Sequence, residues 1–203
     1  MLKNWMSFKP QPVVGVDEVG RGCLAGPVVA GAVILKFPED FKDSKSLTAK
    51  QREKATLQIK KNHFYAIGIS SAKEIERFNI HKASLLAMKR AVNKLKIKSG
   101  HLLIDGSFKI PGLTQFTQSC FVKGDQIYSP ISAASILAKT NRDQILSNYN
   151  KIYPYYGFNK HKGYPVPSHK SALKKYGPCP IHRKTFSGVK EYSHLLQTKA
   201  TRS

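Results

Sequence analysis

The sequence predicts an α/β fold, because short runs rich in Val, Ile and Leu alternate along the chain with stretches of helical period. Residues 13–19 and 28–35 are β-rich, and the turn formers Gly20-Arg21-Gly22 and Gly26-Pro27 lie between them. Thr48 with Gln51 forms a capping-box pattern, which predicts a basic helix from there to about residue 61. Residues 63–69 read as a further strand. Ser71 with Glu74 opens a second helical stretch. Asn79 caps a longer helix whose apolar residues are Ile80, Ala83, Ala87, Ala91 and Leu95. The short apolar run 102–105 ends in an acid, as a central strand of a sheet would. Residues 115–122 alternate loosely as a strand. Residues 131–149 predict a helix whose small first half (Ala133, Ala134, Ala138) permits close packing on a sheet. From Tyr153 onward Pro, Gly, Tyr, His and Lys dominate, so loops around one or two short helices are expected. The expected division is a core over residues 1–150 and a C-terminal extension over 151–203 packed on it, with fraying from about Gln197.

Composition narrows the function. At 41% hydrophobic and 23% charged, the chain has the make-up of an ordinary globular protein. Its charge balance is unusual: 34 Lys and Arg face 12 Asp and Glu, for a formal net charge of +22. Such a field favours a polyanion, and nucleic acid is the commonest one. Seven of the bases are arginines, at 21, 52, 77, 90, 142, 183 and 202, and the rest are lysines. Arginine reads guanine edges bidentately, whereas lysine is a phosphate-seeking point charge, so backbone contact is expected over base readout. No amphipathic basic helix with an aromatic face points to a membrane surface. The longest apolar run, 28–35, is too short to span a bilayer. The N-terminal residues MLKNWMSFKPQP lack the apolar core of a signal peptide, and Cys23, Cys120 and Cys179 form no CxxC pair. A cytoplasmic protein with reduced thiols is the expectation; a Cys179–His169–His182 metal cluster is the less economical alternative.

In so basic a chain the acids are informative. Glu39, Asp40, Asp43, Glu53, Glu74 and Glu76 fall in loops or on exposed helix turns, where pairing with nearby lysines is the natural reading. Asp17, Glu18, Asp105 and Asp125 stand instead at ends of apolar strands or at strand-to-loop boundaries. Carboxylates in apolar surroundings are costly unless they are paired or bind metal. Several converging would suit a hard divalent cation, and Mg²⁺ suits phosphodiester chemistry. For any one acid a salt bridge is as good an account, but coincidence across four positions is less credible. Neighbours on a regular strand face opposite sides, so a bend or bulge near Gly20 is expected if Asp17 and Glu18 are to share a metal.

These residues lie within motifs that resemble those of the ribonuclease HII family. GVDEVGRGCLAGPVVAGAVIL (15–35) resembles its opening signature. The likeness continues through DSKSLT (43–48), FNIHKASLLAMKRAV (78–92), LIDG (103–106), KGDQIYSPISAASILAKTNRD (123–143), YPYYGFNKHKGY (153–164) and HRKTF (182–186). The resemblance implies a ribonuclease H-like mixed five-stranded sheet flanked by helices, with a C-terminal helical extension. It implies that Asp17, Glu18, Asp105 and Asp125 are the catalytic, metal-binding carboxylates for Mg²⁺ or Mn²⁺. It implies that Gly20, Arg21 and Gly22 grip the ribonucleotide at its junction with DNA, and that Tyr164 packs on the sugar of the following deoxynucleotide. Lys45, Asn79 and Lys139 are expected as backbone contacts by family position, and His161 and Lys162 as phosphate contacts. The expected partners are RNA–DNA hybrids and duplex DNA containing ribonucleotides, met by a monomer. The expected reaction is two-metal hydrolysis 5′ to a ribonucleotide, leaving 3′-hydroxyl and 5′-phosphate ends. A binding protein without catalysis would gain nothing from four acids facing phosphates, and the Gly-Arg-Gly turn argues against a DNA nuclease of the same superfamily. Two departures from the family pattern are Pro165-Val166-Pro167 after the tyrosine, which removes amide donors, and Lys45-Ser46 where the family has two lysines. Asp143 is expected to bridge to Arg142 or Lys139.

Overall fold

A computed structural model describes residues 2–195. Strands β1 (Val13–Val19), β2 (Val28–Ile34), β3 (Phe64–Ser70), β4 (Gly100–Asp105) and β5 (Phe116–Phe121) form one sheet in the order β3-β2-β1-β4-β5. β1 runs antiparallel to β2 and parallel to β4, and β4 runs parallel to β5, so the sheet is mixed as expected. The run 102–105, read from sequence as central, falls in β4, which lies between β1 and β5 and is buried up to Asp105; every residue of β2 and the first five of β1 are buried as well.

Helix α1 (Ala49–Asn62) starts at the expected capping box. Gln51 N donates to Thr48 Oγ1 at 3.3 Å, and Thr48 N donates to Gln51 Oε1 at 2.8 Å. Helix α2 (Ala72–Lys94) is interrupted at Asn79, where φ is 66°, and Asn79 Oδ1 accepts from Lys82 N at 3.0 Å to open the second half. Helix α3 (Ser129–Ile152) begins two residues before the expected start. Its first turns lie directly on the sheet: a Cβ on Gly15 would sit 2.0 Å from the Pro130 carbonyl carbon, so only glycine fits there. Helices α4 (Phe158–His161) and α5 (Pro167–Tyr176) are the short C-terminal helices. Pro167 is the first residue of α5, where its fixed φ and missing N–H suit a helix start, so this family departure has a local structural use.

The chain forms two compact units. The first comprises the chain up to Val19, Val29–Ile69 and Ser84–Asn141; the second comprises Gly20–Val28, Ser70–Ala83 and the chain from Arg142. The boundary expected near residue 150 therefore falls at 141/142, and the second unit takes in two early segments that the sequence reading placed in the core. The core of the first unit gathers Val13, Val33, Ile59, Leu103, Ile131, Ile136 and Leu137, with Ala133 and Ala134 as the predicted small residues. In the second unit, Leu146, Phe158, Ala172 and Ile181 pack around Ala25, and Leu24, Leu173 and Val189 form a smaller cluster. Among the described residues no helix is long and apolar enough to cross a membrane.

Candidate active site

The carboxylates are placed by strand register. β1 and β4 pair in parallel with Val16 opposite Ile104, so Asp17 and Asp105, each the next residue, leave the same end of neighbouring strands. Asp105 also closes β4 against β5, opposite Phe121. The chain then turns through Lys123, in the left-handed region, into a 3-10 turn (Gly124–Gln126) that carries Asp125. Gly124 N donates to Asp105 Oδ1 at 2.7 Å, tying that turn to the strand end. Asp17 and Asp125 are buried, and Glu18 and Asp105 are half-buried. The bulge expected beside Gly20 is absent. Asp17, Glu18 and Val19 pair one-for-one with Gly31, Ala30 and Val29, and Glu18 N donates to Asp17 Oδ1 at 2.7 Å.

The acids feel one another. Burial, then the charges of Glu18 and Asp105, push the Asp17 carboxyl well above its ordinary 3.8, with a hydrogen bond from Ser135 opposing and Asp125 adding to the rise. Burial likewise raises Asp105, against the Gly124 amide and with Asp125. Lys45 Nζ stands 3.3 Å from Asp125 Oδ2. Burial works against the Lys45 ammonium, but Asp125, Asp43 and Asp17 outweigh it and the net shift is upward. Lys45, expected only as a substrate contact, is thus already the counter-ion of Asp125. A cavity of about 480 Å³ opens beside Asp125, lined by Phe41, Asp43, Ser46 and Gln126.

In the second unit Gly20 has φ 96°, and a Cβ there would lie 2.1 Å from Arg142 Nε, so glycine is required. Two arginines, both fully buried, hold this loop by its carbonyls. Arg183 donates to Gly20 O, Arg21 O and Gly26 O at 2.5, 2.7 and 3.1 Å; Arg142 donates to Pro27 O, Ala25 O and Lys162 O at 3.0, 3.0 and 2.8 Å. The Arg21 and Gly22 side faces are exposed. Tyr164 is 36% exposed, with the Arg142 guanidinium 5.9 Å from its ring centroid; burial pushes its hydroxyl above the usual value, and the buried Cys23 is its hydrogen-bond partner.

The expectations for Asp143, His161 and Glu39 are corrected here, and Lys162, Asn79 and Lys139 are placed. Arg142 does not serve Asp143, because its donors go to carbonyls. His161 is turned inward: its Nε2 lies 2.7 Å from Tyr156 O and Gly163 N donates to its Nδ1 at 3.1 Å, leaving no ring nitrogen for a phosphate. Lys162 Nζ donates to Ser147 Oγ at 2.7 Å. Asn79 uses its side-chain oxygen as a helix cap. Lys139 is half-buried on α3. Glu39 pairs with His63 and Gln58 rather than with a lysine. Sequence reasoning missed Arg142, Arg183 and Ser135; the scarcity of arginine was the one signal that could have drawn attention to the first two.

The model of the family described as Ribonuclease HII matches residues 14–189. This chain belongs to the ribonuclease HII family. A ribonuclease HII of Pelagibacter ubique is 50% identical over 182 residues, covering 88% of this chain and 97% of that protein. The ribonuclease H2 of Pyrococcus horikoshii OT3 superposes with a TM-score of 0.78 at 28% identity, over 91% of this chain and 98% of that one. Bst-RNase HIII, solved in complex with Mn²⁺, shares the fold with a TM-score of 0.65 at 17% identity, over 94% and 70% of the two chains. Membership of the ribonuclease HII family makes the chain an endoribonuclease of the ribonuclease H class, a class that uses divalent metals.

The ribonuclease HII carboxylates fit such an ion by their chemistry. All four donors are hard oxygens; burial first, and the neighbouring acids after it, raise Asp17 and Asp105, and a cation would offset the part due to the acids. Among the described residues no three His, Cys, Asp or Glu side chains stand grouped as a metal site by themselves. Mg²⁺ keeps several waters and takes few protein ligands together with substrate phosphate oxygens.

Proposed function

We propose that this endonuclease hydrolyses the RNA strand of RNA–DNA hybrids and cuts on the 5′ side of ribonucleotides embedded in duplex DNA, leaving 3′-hydroxyl and 5′-phosphate ends. The observation that carries the reading is the register that brings Asp17 and Asp105 out at the same end of neighbouring β1 and β4, with the turn that carries Asp125 tied to Asp105 through the Gly124 amide. In this reading Asp17, Glu18, Asp105 and Asp125 hold Mg²⁺ or Mn²⁺ between them; Asp17 and Glu18, successive residues of a regular strand, need not share one ion. The chemistry two such ions supply when bound is Lewis acidity, toward the attacking water at one and the leaving 3′-oxygen at the other. Water adds to phosphorus, the bond from phosphorus to the 3′-oxygen breaks, and that oxygen takes up a proton.

The chain's own residues orient the substrate. The 2′-hydroxyl is the group that marks a nucleotide as ribo, and the Gly20-Arg21-Gly22 turn, next in the chain after the Asp17-Glu18 pair, is glycine-rich enough for close approach to a sugar. The part-exposed Tyr164 ring is suited to pack on the following deoxyribose, where a 2′-hydroxyl would crowd it. The Lys45 ammonium, 78% exposed at its side chain, is placed to meet a phosphate while countering Asp125. Lys139 and Lys162 add positive charge for the duplex backbone. One chain supplies all four carboxylates, which accords with a monomer acting on its duplex.

The test uses an RNA–DNA hybrid. Cleavage is expected in Mg²⁺ or Mn²⁺ and none in EDTA. Binding without cleavage is expected to weaken with salt at a log–log slope of magnitude roughly 3 or more, at about 0.9 per neutralised phosphate. A hybrid left intact in either metal, or a flat salt dependence, would count against the reading.

A further inference from the structure

We infer that the dipeptide His182-Arg183 is a positioning element for ribose recognition, in which Arg183 sets the Gly20-Arg21-Gly22 turn and His182, through His169, sets the backbone at Tyr164. The inference rests on the reading above, that the turn and Tyr164 meet the ribonucleotide and its neighbour. The motif HRKTF has no other role in that reading.

Arg183 is 0% exposed, and its donors reach the carbonyls of Gly20, Arg21 and Gly26. Burying a guanidinium is costly unless its nitrogens find acceptors, and here Nε, Nη1 and Nη2 each donate to a carbonyl. Burial lowers Arg183 to about 10, so it remains a cation at neutral pH. A trans peptide points its C=O and N–H in opposite directions. With the Gly20 and Arg21 carbonyls drawn in to Arg183, the Arg21 and Gly22 N–H groups are turned away from it, so Arg183 fixes the orientation of both peptides. The backbone of the same segment is pinned as well: Arg183 N donates to Leu24 O at 2.9 Å, and Ala25 and His182 form an isolated antiparallel bridge.

The second limb is a hydrogen-bonded relay with one consistent set of protons. Cys179 N donates to His182 Nδ1 at 2.9 Å, so the proton of neutral His182 sits on Nε2. That N–H faces His169 Nε2 at 3.0 Å, which must accept, so the proton of His169 sits on Nδ1 and is given to Tyr164 O at 2.9 Å. Both histidines are fully buried, and burial depresses them to about 3 and about 4, which keeps the relay neutral at working pH. His161 stacks on His169 with centroids 4.4 Å apart and takes the Gly163 amide, so the residue before Tyr164 is held too. The relay uses every ring nitrogen of His169 and His182, which is why these residues and Cys179 make a backbone clamp rather than a metal cluster.

Three variants separate positioning from mere packing. Arg183→Lys keeps the charge, but a single ammonium cannot serve three carbonyls in the fork geometry. His169→Asn keeps a nitrogen where Nδ1 meets Tyr164 O, whereas His169→Gln places its nitrogen at the other ring position. The readout is the ratio of affinities, in EDTA so that nothing is cut, for a DNA duplex with one ribonucleotide over the same duplex in all-DNA form, with a melting curve for each protein. Wild type is expected to prefer the ribonucleotide duplex. Arg183→Lys and His169→Gln are expected to lower the ratio about tenfold, the scale of effect of a small misplacement, and His169→Asn to keep it. A wild type without preference sinks ribose sensing by the turn, and positioning with it. A wild type with preference that folded Arg183→Lys retains, or equal ratios for His169→Asn and His169→Gln, sinks the positioning role alone. If none of the three folds, the dipeptide is a core element and the inference is overturned.

Discussion

Asp17→Asn is expected to lower hydrolysis of an RNA–DNA hybrid in Mg²⁺ by about a thousandfold, equivalent to about 4 kcal/mol of transition-state stabilisation, with the fold intact. Asparagine keeps the shape and one acceptor oxygen but removes the charge that a divalent ion needs. The same substitution is expected to raise the melting temperature of the metal-free protein at neutral pH. Asp17 is pushed well above 3.8 by burial and by Glu18 and Asp105, so its ionised form is disfavoured in the folded state. Its contribution to stability is therefore present below pH 3.8 and is lost as pH rises through the raised folded value. Asparagine does not ionise, so the gap in melting temperature between variant and wild type should open over that rise and close when Mg²⁺ is added. Melting curves in EDTA and in Mg²⁺, beside the hydrolysis rate, check both halves. A folded variant with wild-type turnover would remove Asp17 from the site.

Tyr164→Ala is expected to slow cleavage at a single ribonucleotide by about tenfold or more, at least about 1.4 kcal/mol, with little change in melting. Tyr164 is 36% exposed as a residue, so its loss opens less core than that of a fully buried ring, although the buried Cys23 beside its hydroxyl loses a partner. The backbone at Tyr164 is held through its carbonyl by His169, independently of the ring. Tyr164→Phe keeps the aromatic face and should keep most of the rate. If Tyr164→Ala instead melted far lower, with the rate per folded molecule unchanged, the ring would be a packing residue. Rates on the single-ribonucleotide duplex, normalised to the folded fraction, decide between the two.

What the sequence disclosed was whatever depends on near neighbours in the chain. The Thr48–Gln51 capping box and the Asn79 cap were legible because a cap and its partner lie three residues apart. Asp17 and Asp105 stood out because an acid that interrupts or ends an apolar strand is conspicuous in a chain with 12 acids. Long-range pairing was hidden. Arg183 serves Gly20 from 163 residues away, and Arg142 serves Ala25 from 117, so neither the buried arginines nor the discontinuous second unit could be read from local pattern. His161 misled for a related reason: in sequence it looks like one base in a solvated loop, whereas its partners are the backbone of Tyr156 and Gly163. The expected bulge after Asp17 was inferred from strand geometry and a nearby glycine, yet β1 keeps its register through Val19 and the irregularity begins only at Gly20.

The most direct test of the central claim is to map the nick on an end-labelled DNA duplex that carries one ribonucleotide, with Mg²⁺ and with EDTA. The account predicts a single cut on the 5′ side of the ribonucleotide in Mg²⁺, with a 3′-hydroxyl on one fragment and a 5′-phosphate on the ribonucleotide, and no cut in EDTA. A cut on the 3′ side, the same cut in EDTA, or an intact duplex in Mg²⁺ beside an efficiently degraded long hybrid would contradict it.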